Sequence, residues 1–349
     1  MDRLLAVPLP DATEPVAWSI SDGRLRRDGA GDGGGRPERW VAPGLVDAHV
    51  HLTFETRERL GLPRGSAKLI AAHLRLHRRA GVLAVRDAGS LPGVALPAEA
   101  EGVRVIGCGP FLAPPGLFLA HLYEGTPAED AVRVARDRVR AGGTWVKIIA
   151  DHPGPGGNPL APRLGYPVEL FGRIADAVHD AGGRLAVHVM GRVVRELVHA
   201  GPDSIEHGNW ADEATVREMA ARGIAWCPTL TTVLHHLEPI AVQVPPAREV
   251  LDLQREMLPL AAELGVTLLT GTDEQAHGGV AAEAAALVRY GVPAPAAVAA
   301  ATTGARAYLG LPGLEDGAPA DVVVFDRDPR EDMAVLGEPA AVLVGGVAA

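Results

Sequence analysis

The sequence predicts an α/β fold: a closed (β/α)8 barrel with a small β-structured unit beside it, assembled from both chain ends. Three observations carry this expectation. Eight short apolar, β-branched runs recur along the chain, and helical patterns separate most of them. Several of those patterns close on Gly or Gly-Gly, the residue that best ends a helix in the left-handed conformation. Both chain ends break this rhythm and hold short β-type runs with turn residues around them.

The first four runs are "GLVDAHVHL" (44–52), "GVLAVRDAG" (81–89), "GVRVIGCGP" (102–110) and "TWVKIIAD" (144–151). The second four are "GRLAVHVM" (183–190), "DSIEHG" (203–208), "GIAWCPTL" (223–230) and "VTLLTGTD" (266–273). Near-continuous apolar strands alternating with helices imply a parallel sheet covered by helices. The stretches "AEDAVRVARDRVRAGG" (128–143), "VELFGRIADAVHDAGG" (168–183) and "DEATVREMAARG" (212–223) read as amphipathic helices. The second unit is the weakest, because "SLPGVALPAEAE" (90–101) is too proline-rich for a long helix. Eight units favour a closed barrel over an open doubly wound sheet.

At the N-terminus, "PVAWSISDGRL" reads as a strand and turn, and "RRDGAGDGGGRPE" (26–38) as a flexible Gly-rich loop. At the C-terminus, "PADVVVFDRDP" and "PAAVLVGGVAA" supply more β structure, most simply paired with the N-terminal strands. The division is therefore 1–43 with 312–349 as one composite unit, and 44–311 as the barrel. An Ala-rich helix pair, "VPAPAAVAAATTGARAYLG" (292–310), ends the barrel segment.

The 349 residues are 47% hydrophobic, enough to bury a large core. A formal net charge of −10 argues against nucleic acid or an anionic membrane as partner, since both need a basic face. A small-molecule partner fits, and self-association stays open. The two cysteines, Cys108 and Cys227, lie far apart; they suit a reducing compartment and offer no thiolate metal site. The opening "MDRLLAVPLPDATEP" lacks the apolar core of a secretory signal, and no run of about 18 apolar residues occurs. A cytoplasmic protein is expected.

A barrel of this kind carries its active site at the carboxyl ends of its strands. In "LVDAHVHL", His49 and His51 are two residues apart and so project to the same side of a strand. Lys147 lies in the fourth run, His188 in the fifth, His207 in the sixth and Asp273 ends the eighth. Each alone has a plain alternative: a hydrogen-bonded strand-end histidine, or a lysine snorkelling to the rim. Their convergence on one mouth favours a metal site. An ammonium has no lone pair to give, so Lys147 fits only if neutral; a neutral amine can take up carbon dioxide as a carbamate, whose two oxygens can bridge two ions.

The motifs "APGLVDAHVHL", "VKI", "AVHVMG", "SIEHG" and "TGTD" resemble the metal motifs of the amidohydrolase superfamily. "GARAYLGLPGLEDGAPADVVVFDRDP" resembles its C-terminal signature, where the chain leaves the barrel for a β-sandwich. The nearest branch is imidazolonepropionase-like and Xaa-Pro dipeptidase-like. The resemblance implies a binuclear centre: His49, His51 and Asp273 for one ion, His188 and His207 for the other, and carboxylated Lys147 for both. Zinc is the default, with manganese, cobalt and iron compatible. It further implies hydrolysis of an amide-type C–N bond by a metal-activated hydroxide, with Asp273 taking and returning a proton. Dipeptides, N-acyl amino acids and small cyclic amides are the substrates it suggests. Rival readings are deamination or another reaction on a specialised metabolite, a scaffold without catalysis, and a doubly wound solute-binding module.

Substrate contacts are expected from His121, Arg163, His235, His236 and His277, on segments after strands at the mouth. Of these, His235 and His236 are read as lying in the loop after the seventh strand, and His277 as facing the mouth. His152 has no assigned role. His73 and His77, at helical i, i+4 spacing, are read as a solvent-facing pair outside the barrel; His179 and His199 are read as surface residues, and Cys227 as core.

Overall fold

A computed structural model describes residues 3–30, 39–55, 60–154 and 157–349. The Gly-rich loop expected at 26–38 lies outside the described residues from position 31 onward. The N-terminal strands are β1 (Arg3–Pro8), β2 (Val16–Ser21), β3 (Arg24–Ala30) and β4 (Trp40–Pro43). Then follow β5 (Leu45–Val50), α1 (Ala67–Arg79), β6 (Val82–Asp87), β7 (Glu99–Ala100), β8 (Val103–Gly107), α2 (Ala128–Arg140) and β9 (Trp145–Ile149). A hairpin, β10 (Asp151–Gly154) and β11 (Asn158–Leu164), precedes α3 (Val168–Asp180), β12 (Arg184–Val189), α4 (Val194–His199) and β13 (Ser204–His207). Next come α5 (Glu213–Arg222), β14 (Ala225–Cys227), α6 (Leu230–Leu237), α7 (Pro245–Glu263), α8 (Val280–Arg289), α9 (Ala294–Ala301) and α10 (Thr303–Tyr308). The strands β15 (Val322–Phe325), β16 (Ala341–Val344) and β17 (Val347–Ala348) close the chain.

The fold is α/β with a curled, largely parallel sheet. One stretch runs β5-β6-β8-β7 and another β14-β13-β12-β9, parallel throughout except for short β7. Parallel bridges Leu112↔Ile148, Trp226↔Leu268 and Val50↔Asp273 link the edges of these two stretches. The eighth apolar run, 266–273, pairs through such single bridges and forms no continuous strand. Its Gly271 explains how tightly it sits: a Cβ there would lie 2.5 Å from Cys227 Sγ and 2.6 Å from His49 Cβ. The proline-rich stretch at 90–101 holds no helix, so β6 reaches β8 without one.

Alternation within the strands sorts the core into two faces. Val85, Val105, Val146, Ile148, Val187, Val189 and Ile205 face outward and join the large core shared with the helices. Ala84, Trp145, Ala186, Ala225 and Cys227 face inward, where Tyr308 and Leu309 at the end of α10 plug the bottom. Local signals set the helix limits. Ser66 caps α1 through Leu69 N–H, and Asp212 caps α5 through Thr215 N–H, each contributing about 1 kcal/mol. Gly223, in the left-handed conformation at φ 68°, ends α5.

The terminal strands form one seven-stranded sheet, ordered β17-β16-β15-β4-β1-β2-β3. It has its own core, with Trp18, Leu25, Val41, Val322 and Leu343 packed together.

The sequence reading of α1 is overturned. His73 and His77 are fully buried, because they fall in the helix stripe with Leu69, Ile70 and Leu74 that packs inward. His235 and His236 lie in helix α6 and not in a loop, since the chain turns sharply at Thr229 (φ 46°) and enters a helix at once. Among the described residues, no helix is long and apolar enough to cross a membrane.

Candidate metal centre

Inward-facing side chains near the carboxyl ends of the strands build the site. Asp47 and His49 lie on β5, and His51 follows its end. His49 Nε2 is 3.6 Å and His51 Nε2 3.4 Å from Asp273 Oδ1. The rings of His49 and His207 are 5.3 Å apart, and those of His188 and His207 4.5 Å. His207 Nε2 meets His188 Nδ1 at 2.8 Å. One nitrogen each from His49 and His207 and an oxygen of Asp273 lie within 4.8 Å of one another.

Backbone geometry makes this convergence feasible. Strict alternation would send Glu206 and His207 to opposite sides of β13, but His207 has φ 65° and turns its ring back. Asp273 (φ 54°) and Thr229 (φ 46°) share the left-handed region, and the Thr229 hydroxyl lies 2.7 Å from His207 Nδ1. Each such residue costs of order 1–3 kcal/mol, a strain that gathers at functional sites. Glu283 anchors the turn, accepting the N–H groups of Leu230 and Thr231 at the start of α6.

The electrostatics suit a cation. Burial, the largest influence, lowers His49 to about 4 and His207 to about 3, and holds His188 well below its ordinary value. All three are neutral at pH 7, the form that binds metal. Burial also lowers the pKa of Lys147. For Asp273, burial pushes upward but is outweighed by His49, His51 and His207, so the carboxyl stays well below its usual range. Lys147 Nζ and His188 Nε2 are buried with no hydrogen-bond partner among the described residues. Neutral imidazoles beside a carboxylate, with a buried lone pair unanswered, are a donor set that fits a divalent metal.

Several participants escape the sequence reading. Arg86 and Glu206 are fully buried and paired at 2.6 Å. Asp47, fully buried, accepts from Thr272 Oγ1 at 2.6 Å and is pushed up to about 7 by burial. Asp151 accepts the N–H groups of Met190 and Gly191 and lies 3.7 Å from His188 Nε2. Charged residues inside apolar runs, as in "GLVDAHVHL", "GVLAVRDAG" and "DSIEHG", were the available signal.

The expected substrate contacts scatter. His121 is exposed, and Arg163 is exposed on β11 opposite His152. His236 is exposed and pairs with Glu274 at 2.6 Å, with the His235 ring 5.0 Å away. His277 is buried to 6% exposure instead of open to the mouth, hydrogen-bonded to His77 at 3.0 Å. His179 and His199 pair with Asp203 and Glu218 near the surface, and Cys227 is core.

A sequence model of the amidohydrolase family matches residues 40–349. An uncharacterised protein of Mycobacterium tuberculosis is 32% identical over 362 residues, covering 97% of this chain and 93% of its own. Ochratoxinase of Aspergillus niger is 28% identical over 232 residues, covering 61% of this chain and 47% of its own. The crystal structure of that ochratoxinase superposes with TM-score 0.78 at 22% identity, over 99% of this chain and 95% of the other. A Xaa-Pro dipeptidase with methionine bound in its active site gives TM-score 0.80 at 22% identity over 99% of both chains. The fold and the site define a metal-binding hydrolase of α/β type. The chain belongs to the amidohydrolase family and is an enzyme that hydrolyses C–N bonds.

Proposed function

We propose that this protein hydrolyses a small amide, a dipeptide, N-acyl amino acid or cyclic amide, at a binuclear metal centre. The curled sheet closes into a (β/α)8 barrel over 44–311, a reading supported by the three bridges that join its two stretches edge to edge. Residues 1–43 and 312–349 form one composite β domain built on the seven-stranded sheet, a reading supported by their separate core. The two unpaired, buried cysteines support action in a reducing cytoplasm.

His49, His51 and Asp273 would hold one dication and His188 and His207 the other, with Lys147, as a carbamate, serving both. The family relationship and the chemistry of the donor set support this assignment, with zinc favoured and manganese, cobalt or iron admissible. Burial lowers the Lys147 pKa and so favours the neutral amine; a neutral Nζ would attack carbon dioxide, forming an N–C bond as one C=O π bond opens and releasing one proton to water. Two dications bound there would supply Lewis acidity toward a carbonyl and toward water. Asp273 then acts as the proton carrier: an Oδ oxygen takes a proton from the attacking water and returns it to the leaving nitrogen. Arg163, His121, His235 and His236 stand at the outer face, and Arg163 is suited to clamp a substrate carboxylate. His277, being buried, would reach substrate only through a movement of its neighbours.

One observation carries the reading: five ligand-type side chains, His49, His51, His188, His207 and Asp273, lie about the buried, unpartnered amine of Lys147. The test is protein purified without added metal, its metal counted, then assayed on dipeptides, N-acyl amino acids, lactams, esters, phosphotriesters and amino-heterocycles. Hydrolysis of amides by protein carrying two ions per chain is expected. Turnover confined to phosphotriesters or to deamination would overturn the amidase reading and leave the metal site standing.

A further inference from the structure

Below the candidate centre, the concave face holds an ion pair that no ligand assignment uses. Arg86 and Glu206 are both fully buried. Arg86 NH2 donates to Glu206 Oε1 at 2.6 Å, NH1 to Ser204 Oγ at 3.0 Å and Nε to the Ala48 carbonyl at 2.7 Å. Ser204 Oγ in turn donates to Glu206 Oε1 at 2.6 Å, and the guanidinium lies over the Trp145 ring at 4.6 Å. The other carboxylate oxygen, Oε2, sits 2.7 Å from His49 Nδ1.

A buried ion pair is weak evidence of stabilisation, because desolvating two charges offsets most of their attraction. Its placement is the informative part. We propose that Arg86 and Glu206 are positioning residues that fix the tautomer and direction of His49 as a metal ligand. Glu206, held ionised by Arg86, can only accept hydrogen bonds. His49 Nδ1 must therefore carry the proton, and Nε2 keeps its lone pair. Nε2 is the atom that faces Asp273. In the opposite tautomer, Nε2 would carry the proton toward Asp273 and could not ligate. Arg86 adds a second restraint by holding the carbonyl of Ala48, the residue before His49. His207 differs, since its Nδ1 meets the neutral Thr229 hydroxyl instead of a carboxylate.

The proposal rests on His49 being a ligand, so the test separates the two. The His49 tautomer is read first, in metal-free protein, by ¹⁵N-histidine NMR, with the resonance assigned by its loss in His49→Ala. A proton on Nδ1 is expected; a proton on Nε2 would overturn the positioning role without touching the ligand assignment. Zinc and cobalt affinities are then compared for wild type, Ser204→Ala and the double variant Arg86→Met/Glu206→Leu, which removes both charges together. The double variant is expected to show mixed His49 tautomers and to bind metal roughly 10–100-fold more weakly, the usual effect of losing such a partner. Unchanged affinity in a folded double variant would overturn the proposal, as would unaltered tautomer populations. Should the double variant fail to fold, the wild-type tautomer still decides. If His49→Ala retains both ions at full affinity, the ligand reading fails instead.

Discussion

The protein buries two clusters of histidines, and they differ in what surrounds them. At the candidate centre, His49, His188 and His207 lie among Asp273, Glu206, Asp151 and Lys147. Under helix α1, His73, His77 and His277 meet chiefly one another: His73 and His277 are 3.9 Å apart ring to ring, and His77 Nε2 is 3.0 Å from His277 Nδ1. Gly278 N–H donates to His77 Nδ1, so His77 Nε2 carries the proton given to His277. His73 Nδ1 gives its proton to the Leu52 carbonyl. Neutral hydrogen bonds tie His77 to Gly278 and His277, and His73 to Leu52, while His73 Nε2 and His277 Nε2 stay buried without a hydrogen-bond partner among the described residues. Burial, imidazoles and unpartnered ring nitrogens are common to both, so they do not tell the clusters apart; the carboxylates and the lysine beside the first do.

The largest expected effect falls on the first cluster. Asp273→Asn should keep the fold and much of the metal, because an amide oxygen still coordinates, yet turnover should fall roughly 10²–10⁴-fold for want of a proton acceptor. Steady-state rates on metal-counted protein check this, and a near wild-type kcat would remove Asp273 from the proton-carrying role. Lys147→Ala should lose metal and activity together, with partial recovery in a short carboxylic acid that replaces the missing oxygens. Intact mass of active, metal-loaded wild type should show the added carbon dioxide; an unmodified lysine would count against the bridge.

The sequence made the first cluster legible for a physical reason. HxH on a strand, and single ligands at later strand ends, obey period-two geometry that needs no tertiary knowledge. The second cluster was hidden because i, i+4 histidines on an amphipathic helix look alike whether the stripe they share faces protein or water. Which face of α1 packs inward depends on segment 273–279, some two hundred residues away. Arg86 and Glu206 were hidden differently: a buried ion pair joins two strands whose register no local pattern fixes. The hairpin of β10 and β11 is hidden as well, since "ADHPGPGGNP" is rich in turn residues and the ladder appears only once Leu164 comes back opposite Asp151.

A smaller effect should separate the clusters in metal content. His77→Leu leaves His277 Nδ1 and Gly278 N–H without their partner, an expected loss of about 1–3 kcal/mol in unfolding free energy. The bound metal should stay the same, because the bonding partners of His77, His277 and Gly278, are not among the residues assigned to the ions. Denaturant titration alongside elemental analysis checks both halves. Loss of an ion in this variant would erase the distinction drawn between the two clusters.

The smallest effect is a pH dependence that belongs to the second cluster. Burial, then the charge of His73, lowers His77 from 6.5 to about 3. The unfolded chain therefore binds a proton at a pH where the folded chain does not. Stability from this group is complete above 6.5, and it drains away as pH falls from there toward 3. One such histidine costs about 1.4 kcal/mol per pH unit inside that window. His49, His188 and His207 act in the same direction, so wild type alone cannot isolate His77. The comparison is metal-free wild type against His77→Leu, each unfolded in urea at pH 7.5 and 5.5. Wild type should lose about 1.4 kcal/mol more than the variant between the two conditions. Equal losses would mean that His77 is already protonated in the fold, and the neutral hydrogen-bonded chain described for the second cluster would then be wrong.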